Sequence, residues 1–256
     1  MSSFSRALKS LFITPEMRGR SGERSAAFRL ELTDFFGYPG QIIRNVYLPT
    51  NRGETTEIDL LYVTQKGIFV IESKNYTGYI FGSEENQNWT STLYMGKDCF
   101  NRKKVEKHHF YNPIWQNNTH IRYLKRYLQM EIPMYSIIVF SSHCQLKQIE
   151  LRSHDVAVCQ QGTLSSAIRR IWRNAPDILT DVQIRAITGL LTALANQPES
   201  VREKHVQDIN RHLNDTTRCP RCGGTLVLRT ARSGPNAGRQ FYGCSNYPRC
   251  RYTRNI

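Results

Sequence analysis

The stretch Thr56-Glu57-Ile58-Asp59-Leu60-Leu61-Tyr62-Val63, then Gln65-Lys66-Gly67, then Ile68-Phe69-Val70-Ile71-Glu72-Ser73-Lys74 reads as one β-hairpin. Two runs rich in β-branched and aromatic residues flank a polar turn that ends in glycine. Period-two alternation puts Glu72 and Lys74 on a common face. A two-residue turn centred on Gln65-Lys66 sets Asp59 opposite Glu72, and one centred on Lys66-Gly67 sets it opposite Lys74. In either register the three share a face, with directly opposed Cβ atoms about 5 Å apart. A three-residue loop would set Asp59 opposite Ser73, on the other face. The plain reading is a solvated Glu/Lys face with one cross-strand ion pair. Against it, the strands are otherwise apolar on both faces, as in a buried sheet, where charge needs a compensating role. On the residues alone the two readings stand level.

These residue types suit phosphodiester cleavage. Two carboxylates and the backbone carbonyl of Ser73 make an all-oxygen half-shell of the kind Mg²⁺ accepts, with the remaining positions kept for water and a phosphate oxygen. Such an ion lowers the pKa of bound water and offsets charge on the phosphate. An ammonium at Lys74 would hold that water or stabilise the developing negative charge.

The pattern resembles the nuclease-related domain (NERD) family, a branch of the PD-(D/E)XK restriction-endonuclease-like nucleases. The resemblance rests on Arg20-Ser21-Gly22-Glu23, on Thr56-Glu57-Ile58-Asp59, on Gly67-Ile68-Phe69-Val70-Ile71-Glu72-Ser73-Lys74-Asn75-Tyr76-Thr77-Gly78, on Trp89 and on Asn112-Pro113-Ile114-Trp115-Gln116-Asn117. It runs in order over residues 19–130. It implies an α/β restriction-endonuclease-like core, a mixed sheet flanked by helices. It further implies a Mg²⁺- or Mn²⁺-dependent hydrolase of DNA phosphodiester bonds, with Asp59 and Glu72 as metal ligands, Lys74 as catalytic lysine and Glu23 as an added acid from the first helix.

Asn112-Pro113 reads as a helix N-cap with proline at the first helical position, after which Ile114, Ile121, Leu124 and Leu128 form an apolar stripe. Gln116 and His120, four apart, share a neighbouring face. A polar helix flank accounts for both, for His120 more readily than for Gln116; the resemblance favours Gln116 as a site-lining residue. Glu23 alone would be a solvated helix-start charge.

A second signal lies at the other end. Cys219-Pro-Arg-Cys222 and Cys244-Ser-Asn-Tyr-Pro-Arg-Cys250 give four thiolates in two knuckle-like pairs, the arrangement of a closed structural Zn²⁺ site. So short a segment cannot bury enough apolar surface to fold unaided, so the metal would have to supply the folding free energy. Disulfides fit poorly: there is no secretory signal, and Cys99, Cys144 and Cys159 are scattered singly, as thiols are in a reducing cytoplasm. The tail, most clearly Arg239-Gln240-Phe241-Tyr242-Gly243-Cys244-Ser245-Asn246-Tyr247-Pro248-Arg249-Cys250-Arg251-Tyr252, resembles the C-terminal zinc ribbon of type IA DNA topoisomerases, which implies binding of single-stranded DNA. The residues agree. Arg239, Arg249 and Arg251 interleave with Phe241, Tyr242, Tyr247 and Tyr252, giving phosphate-binding charge beside stacking surfaces. One or two of these aromatics would serve the ribbon's small core instead.

Of the net charge of +14 on 256 residues, the eight arginines after Asp215 supply +8, leaving +6 on residues 1–215. The run Arg102-Lys103-Lys104 with Lys107, before His108 and His109, reads equally as a solvated loop or as a nucleic-acid path. No apolar run is long enough to span a bilayer. The chain therefore divides into an N-terminal segment (1–18), the nuclease-like domain with its C-terminal helices (19–197), a polar linker (198–216) and the ribbon (217–256). Within the domain, Ser25 to Phe36 is helix-patterned, and Ile184, Ile187, Leu190, Leu191 and Leu194 mark a later helix. The expected protein is a cytoplasmic nuclease held on single-stranded or unwound DNA by its ribbon. The alternatives are a non-catalytic DNA-binding protein and a nuclease-like scaffold whose ribbon docks a protein partner. Homo-oligomerisation is compatible with the first reading, since restriction-like nucleases can pair to cut both strands.

Overall fold

The hairpin forms with Gln65 and Lys66 as its two turn residues. The computed structural model describes residues 39–50, 53–97, 103–215, 217–219, 224–234 and 236–255. In it, strand β2 (Thr55–Thr64) pairs antiparallel with β3 (Gly67–Lys74), Thr64 opposite Gly67 and Leu60 opposite Ile71. Continuing that register sets Asp59 across from Glu72. Gly67 makes the turn possible: its φ is 122°, and a Cβ there would lie 2.3 Å from the Pro133 carbonyl oxygen. That same carbonyl accepts the Ile68 N–H at 3.0 Å, which starts the next pairing.

The hairpin sits in a five-stranded sheet of order β1-β2-β3-β7-β9, with β1 Gly40–Pro49, β7 Met134–Phe140 and β9 Val156–Gln160. β1 joins antiparallel, while β7 and β9 run parallel to β3. A second sheet has order β6-β5-β4-β8, with β4 Gly78–Ser83, β5 Asn88–Lys97, β6 Lys103–Tyr111 and β8 Cys144–Glu150. The basic run from Lys103 onward is thus an edge strand and not a loop. Its backbone pairs with β5 and buries Phe110 against Trp89, while its charged side chains keep the outer edge in water. β8 left no readable sequence signal, because a register shift in its pairing with β4 breaks the alternation of its inward residues Cys144, Leu146 and Ile149.

Among the described residues, four α-helices cover the sheets: α1 (Pro113–Leu128), α2 (Leu164–Asn174), α3 (Asp181–Ala195) and α4 (Glu199–Asn214). On one face of the five-stranded sheet, Leu61, Val63, Ile68 and Val70 pack against Leu124 and Leu128 of α1 and Ile184, Ile187 and Leu191 of α3. On the other, Leu60, Tyr62, Phe69 and Ile71 pack against Ile168, Ile171 and Trp172 of α2. Leu190, expected on the buried stripe of α3, is instead 55% exposed. Stretch 198–216, expected as a linker, is mostly α4. Among its described side chains the buried ones are the polar His205 and Asp208, so apolar periodicity could not disclose it.

α1 is anchored at several points. Asn112 caps it, accepting the Ile114 N–H at 2.9 Å, and its side-chain amide donates to the carbonyls of Ser83, Glu84 and Asn86. Asn117, fully buried, donates to the Val70 carbonyl and to Ser136 Oγ, at 2.8 and 2.9 Å, and so ties the helix to β3 and β7. Asn117→Ala is expected to destabilise the chain by about 1–3 kcal/mol, because the Val70 carbonyl loses its side-chain donor in a dry setting. Thermal denaturation checks this, and an unchanged Tm would contradict it.

The C-terminal module is a three-stranded antiparallel sheet, β10 (Leu226–Thr230), β11 (Gln240–Cys244) and β12 (Thr253–Asn255). Its core is Cys219, Leu226, Cys244, Cys250 and Tyr252, with Tyr242 packed against it.

Candidate functional site

Beyond Val70 the face of β3 that carries the apolar cluster turns polar, and Glu72 and Lys74 occupy it. Both are nearly buried, at 4% and 8% exposure. Lys74 Nζ donates to Glu72 Oε1 and to Gln116 Oε1, each at 2.8 Å, and Gln116 Nε2 donates to the same Glu72 oxygen at 2.8 Å. The three side chains close a ring of hydrogen bonds, with Gln116 delivered by the first turn of α1. His120, one turn on, is also buried. Its Nε2 lies 3.4 Å from Glu72 Oε2 without an aligned hydrogen bond, and its Nδ1 is 2.9 Å from Thr56 Oγ1.

Asp59 stands at the rim, half-buried. Its Oδ2 accepts the Ser73 N–H at 2.7 Å, so the ladder between β2 and β3 ends in a carboxylate bond rather than a backbone pair. Ile58 and Leu61 lie in the same apolar cluster, so strict alternation breaks between them. The neighbour of Asp59 on β1, Asn45, has a left-handed φ of 53°, which asparagine tolerates.

The electrostatics divide the two carboxylates. Burial disfavours charge on Glu72, but the Lys74 ammonium and the His120 contact outweigh it and hold the carboxyl at about 2. Loss of water around Asp59, together with the charges of Glu72 and Glu57, pushes its carboxyl well above the usual carboxylate range. Burial also works against charge on Lys74, yet Glu72 more than compensates and raises its pKa. Asp59 is therefore a carboxylate short of positive charge, beside one that is fully supplied.

A second polar contact flanks the site. His205 of α4 packs edge-on against Tyr47 at 5.5 Å, touches Thr55 and lies 3.8 Å from Glu57. Burial lowers its pKa. A lowered histidine pKa favours the neutral folded form, so its stabilisation is complete above about pH 6.5 and is lost as pH falls. The lowered Glu72 acts the same way in a more acid window, from about pH 4.5 to about 2, and is worth about 3 kcal/mol. Asp59 has the opposite sign: the folded chain is favoured as it protonates. His205 is isolated from the opposing contribution of Asp59 by comparison: the Tm difference between the parent chain and His205→Gln should move against the parent chain as pH falls below about 6.5, and a difference that does not change with pH would show that His205 is not the titrating group.

Of the expected site residues, the fold brings Asp59, Glu72, Lys74 and Gln116 together, with Ser73 bound to Asp59. Glu23, with the 1–18 segment and the Ser25–Phe36 helix, lies outside the described residues, as do Cys99, Arg102 and Cys222. His120 was weighed with Gln116 and read as a polar helix flank, and Thr56 and His205 were not singled out. His120 had a usable signal, its spacing from Gln116, whereas His205 had none.

In the C-terminal module the sulfurs of Cys219, Cys244 and Cys250 are buried and lie within 4.8 Å of one another, a thiolate group fit for a structural Zn²⁺. Asn246 directs its N–H at Cys244 Sγ, at 3.4 Å. Of the expected stacking residues, Tyr247 is 59% exposed with the Arg229 guanidinium over its ring, and Arg239, Arg249 and Arg251 are exposed. Phe241 and Tyr242 are half-buried, the latter under the Arg254 guanidinium. Tyr252 is a correction: at 8% exposure its ring fills the module's core.

Comparison with known proteins fits both sites. Residues 18–141 match the nuclease-related domain family, and residues 216–256 match the topoisomerase DNA binding C4 zinc finger. The chain carries a nuclease-related domain and a topoisomerase-type zinc finger. An uncharacterized protein of Bacillus anthracis is 28% identical over 194 residues, which cover 75% of this chain and 84% of that protein. The zinc finger is 53% identical over 36 residues to part of DNA topoisomerase 1 of Archaeoglobus fulgidus, and 50% identical over 38 residues to uncharacterized protein YrdD of Escherichia coli. These matches cover 5% and 18% of those proteins, so likeness to the topoisomerase stops at the finger. No solved structure matches the chain. Among the described residues, no helix is long and apolar enough to cross a membrane.

Proposed function

We propose that the protein is a metal-dependent nuclease that hydrolyses DNA phosphodiester bonds, with the zinc finger holding it on single-stranded or unwound DNA. The observation that carries this reading is the ammonium of Lys74, fixed by Glu72 and Gln116 at the end of a hairpin whose rim bears Asp59. A scaffold kept for binding alone gains nothing from carboxylates directed at phosphates.

The donor set fits a hard divalent cation. Asp59 is the carboxylate left short of positive charge, its Oδ2 engaged by Ser73, and Glu72 stays ionised across the physiological range. Asp59, Glu72 and the Ser73 carbonyl would hold Mg²⁺ or Mn²⁺, which when bound supplies a more acidic water and neutralises charge on the phosphate. Glu23 is the proposed further acid. Lys74 then faces the charge that builds on phosphate oxygens as a water oxygen bonds to phosphorus and one P–O ester bond breaks. Gln116 keeps the ammonium from rotating away, and His120 braces the far oxygen of Glu72. Free, buried Cys144 and Cys159 support a reducing cytoplasmic setting. On the zinc finger, Arg239, Arg249 and Arg251 are the proposed phosphate contacts, and Phe241, Tyr242 and Tyr247 the stacking surfaces.

Titration with Mg²⁺ should raise Tm, with about 2.7 kcal/mol gained at 100 times the dissociation constant. The gain should rise with pH, because the Asp59 carboxyl, pushed up by burial and by Glu72, must lose its proton to bind the ion, and should be absent in Asp59→Asn. Cleavage of labelled single-stranded, duplex, flapped and RNA substrates then defines the substrate. No cutting of any of them in Mg²⁺ or Mn²⁺, with DNA bound, would favour the non-catalytic reading.

A further inference from the structure

The nucleic-acid contacts proposed above lie on the zinc finger, yet the nuclease-related domain has a groove of its own. It measures about 320 Å³ and is lined by Tyr111 at the end of β6 and by Trp115, Asn118, Thr119 and Arg122 of α1. We propose that this groove is a subsite for an unpaired nucleotide of the DNA strand that enters the catalytic site; the assignment rests on the nuclease reading.

Three observations carry it. First, the groove holds aromatic rings, an amide, a hydroxyl and a guanidinium, and no carboxylate. Tyr111 and Trp115 meet edge to face, with centroids 6.2 Å apart, leaving ring surface for a base. Second, the parts are set in advance. Trp115 Nε1 donates to the Glu84 carbonyl at 2.8 Å, which fixes the indole, and exposed Arg122 donates to Thr119 Oγ1 at 3.1 Å. No ion pair of Arg122 with a carboxylate occurs among the described residues, so its guanidinium remains available to a phosphate. Asn118, exposed beside the rings, can donate to and accept from a base edge.

Third, the groove adjoins the chemistry. Gln116 and His120 lie on one face of α1, and Trp115, Thr119 and Arg122 on the next, so a strand crossing the helix passes from groove to catalytic ring. On the far side, Lys107 and His109 alternate with buried Phe110 and share the outward face of β6 with Tyr111. Both are exposed; Lys107 continues the cationic track away from the site, and His109 adds a polar ring beside it. A peptide partner would gain little from rings ordered edge to face beside an unpaired guanidinium. A nucleotide uses every one of these groups.

The chain's tryptophans provide the test. Trp89 and Trp172 are buried, at 0% and 8% exposure, and the zinc finger has none, so emission that responds to a stacked base reports Trp115. The zinc-loaded full chain is titrated with oligo(dT), without added magnesium, while fluorescence anisotropy of the labelled oligonucleotide records total binding. Emission should fall as the oligonucleotide binds, and Trp115→Phe should bind without that fall. Arg122→Ala, at an exposed position, should weaken the quenching-linked affinity about fivefold to tenfold. Binding without quenching, or quenching that survives in Trp115→Phe, would overturn the subsite while leaving the nuclease reading intact. Absence of binding by either signal would overturn the subsite and the DNA-binding reading together, and failure of cleavage alone bears on the catalytic reading only.

Discussion

Lys74→Met is expected to lower DNA cleavage by at least about 100-fold while leaving DNA retention by the zinc finger unchanged. The same substitution should cost the fold about 3–5 kcal/mol, because Glu72 stays buried and loses its ammonium partner. The two losses have different origins, and a second variant separates them. Glu72→Gln with Lys74→Met removes the orphaned charge, so stability should largely return while activity does not. Cleavage at single turnover and Tm, measured on both variants, check the prediction. If the double variant remained as unstable as the single one, the ring of Glu72, Lys74 and Gln116 would be held by packing rather than charge.

The second large effect concerns zinc. Among the described residues, the core of the C-terminal module is Leu226, Tyr252 and three cysteines, with two sulfurs 3.6 Å apart. Thiolates so close repel unless a cation lies among them, and the apolar burial from Leu226 and Tyr252 cannot offset the ordering of the strands. Zinc supplies about 10–16 kcal/mol in sites of this kind. Chelation under reducing conditions, or Cys244→Ser, should therefore unfold the module and abolish its DNA retention while the nuclease-related domain melts unchanged. Calorimetry should show one transition lost and one retained. Cys222, the expected fourth ligand, should behave as Cys244 does when replaced. A shift of both transitions would mean that the domains fold as one cooperative unit.

How much of this was legible depended on whether a residue's position followed from periodicity. The faces of Glu72 and Lys74 and the buried stripe of α1 did follow, because strand and helix periods are fixed by backbone geometry, whereas the hairpin register stayed open between two turn centrings until the pairing of Thr64 with Gly67 selected the one at Gln65-Lys66. Asp59 came out on the right rim even though the alternation slips beside it, since its bond to the Ser73 N–H replaces the next ladder pair. That the expected linker is helical was not legible for a physical reason: its inward face is built from His205, whose partners Thr55, Tyr47 and Glu57 lie far away in the chain, and Asp208, which pairs with Arg211. Tyr252 was misplaced for the reverse reason. An aromatic between arginines reads as a stacking surface, and only the three-dimensional scarcity of apolar groups in the module draws it inward.

Metal-dependent DNA cleavage by the hairpin's carboxylates and lysine is the activity on which the proposed function stands. Its most direct test is single-turnover cleavage of end-labelled single-stranded DNA by the zinc-loaded chain, with Mg²⁺ or Mn²⁺ and without, beside Lys74→Met at equal DNA occupancy. Metal-dependent cutting by the parent chain that is lost in Lys74→Met is the predicted result. Cutting that persists in Lys74→Met at a comparable rate, or an intact, DNA-bound parent chain that never cuts, would contradict it.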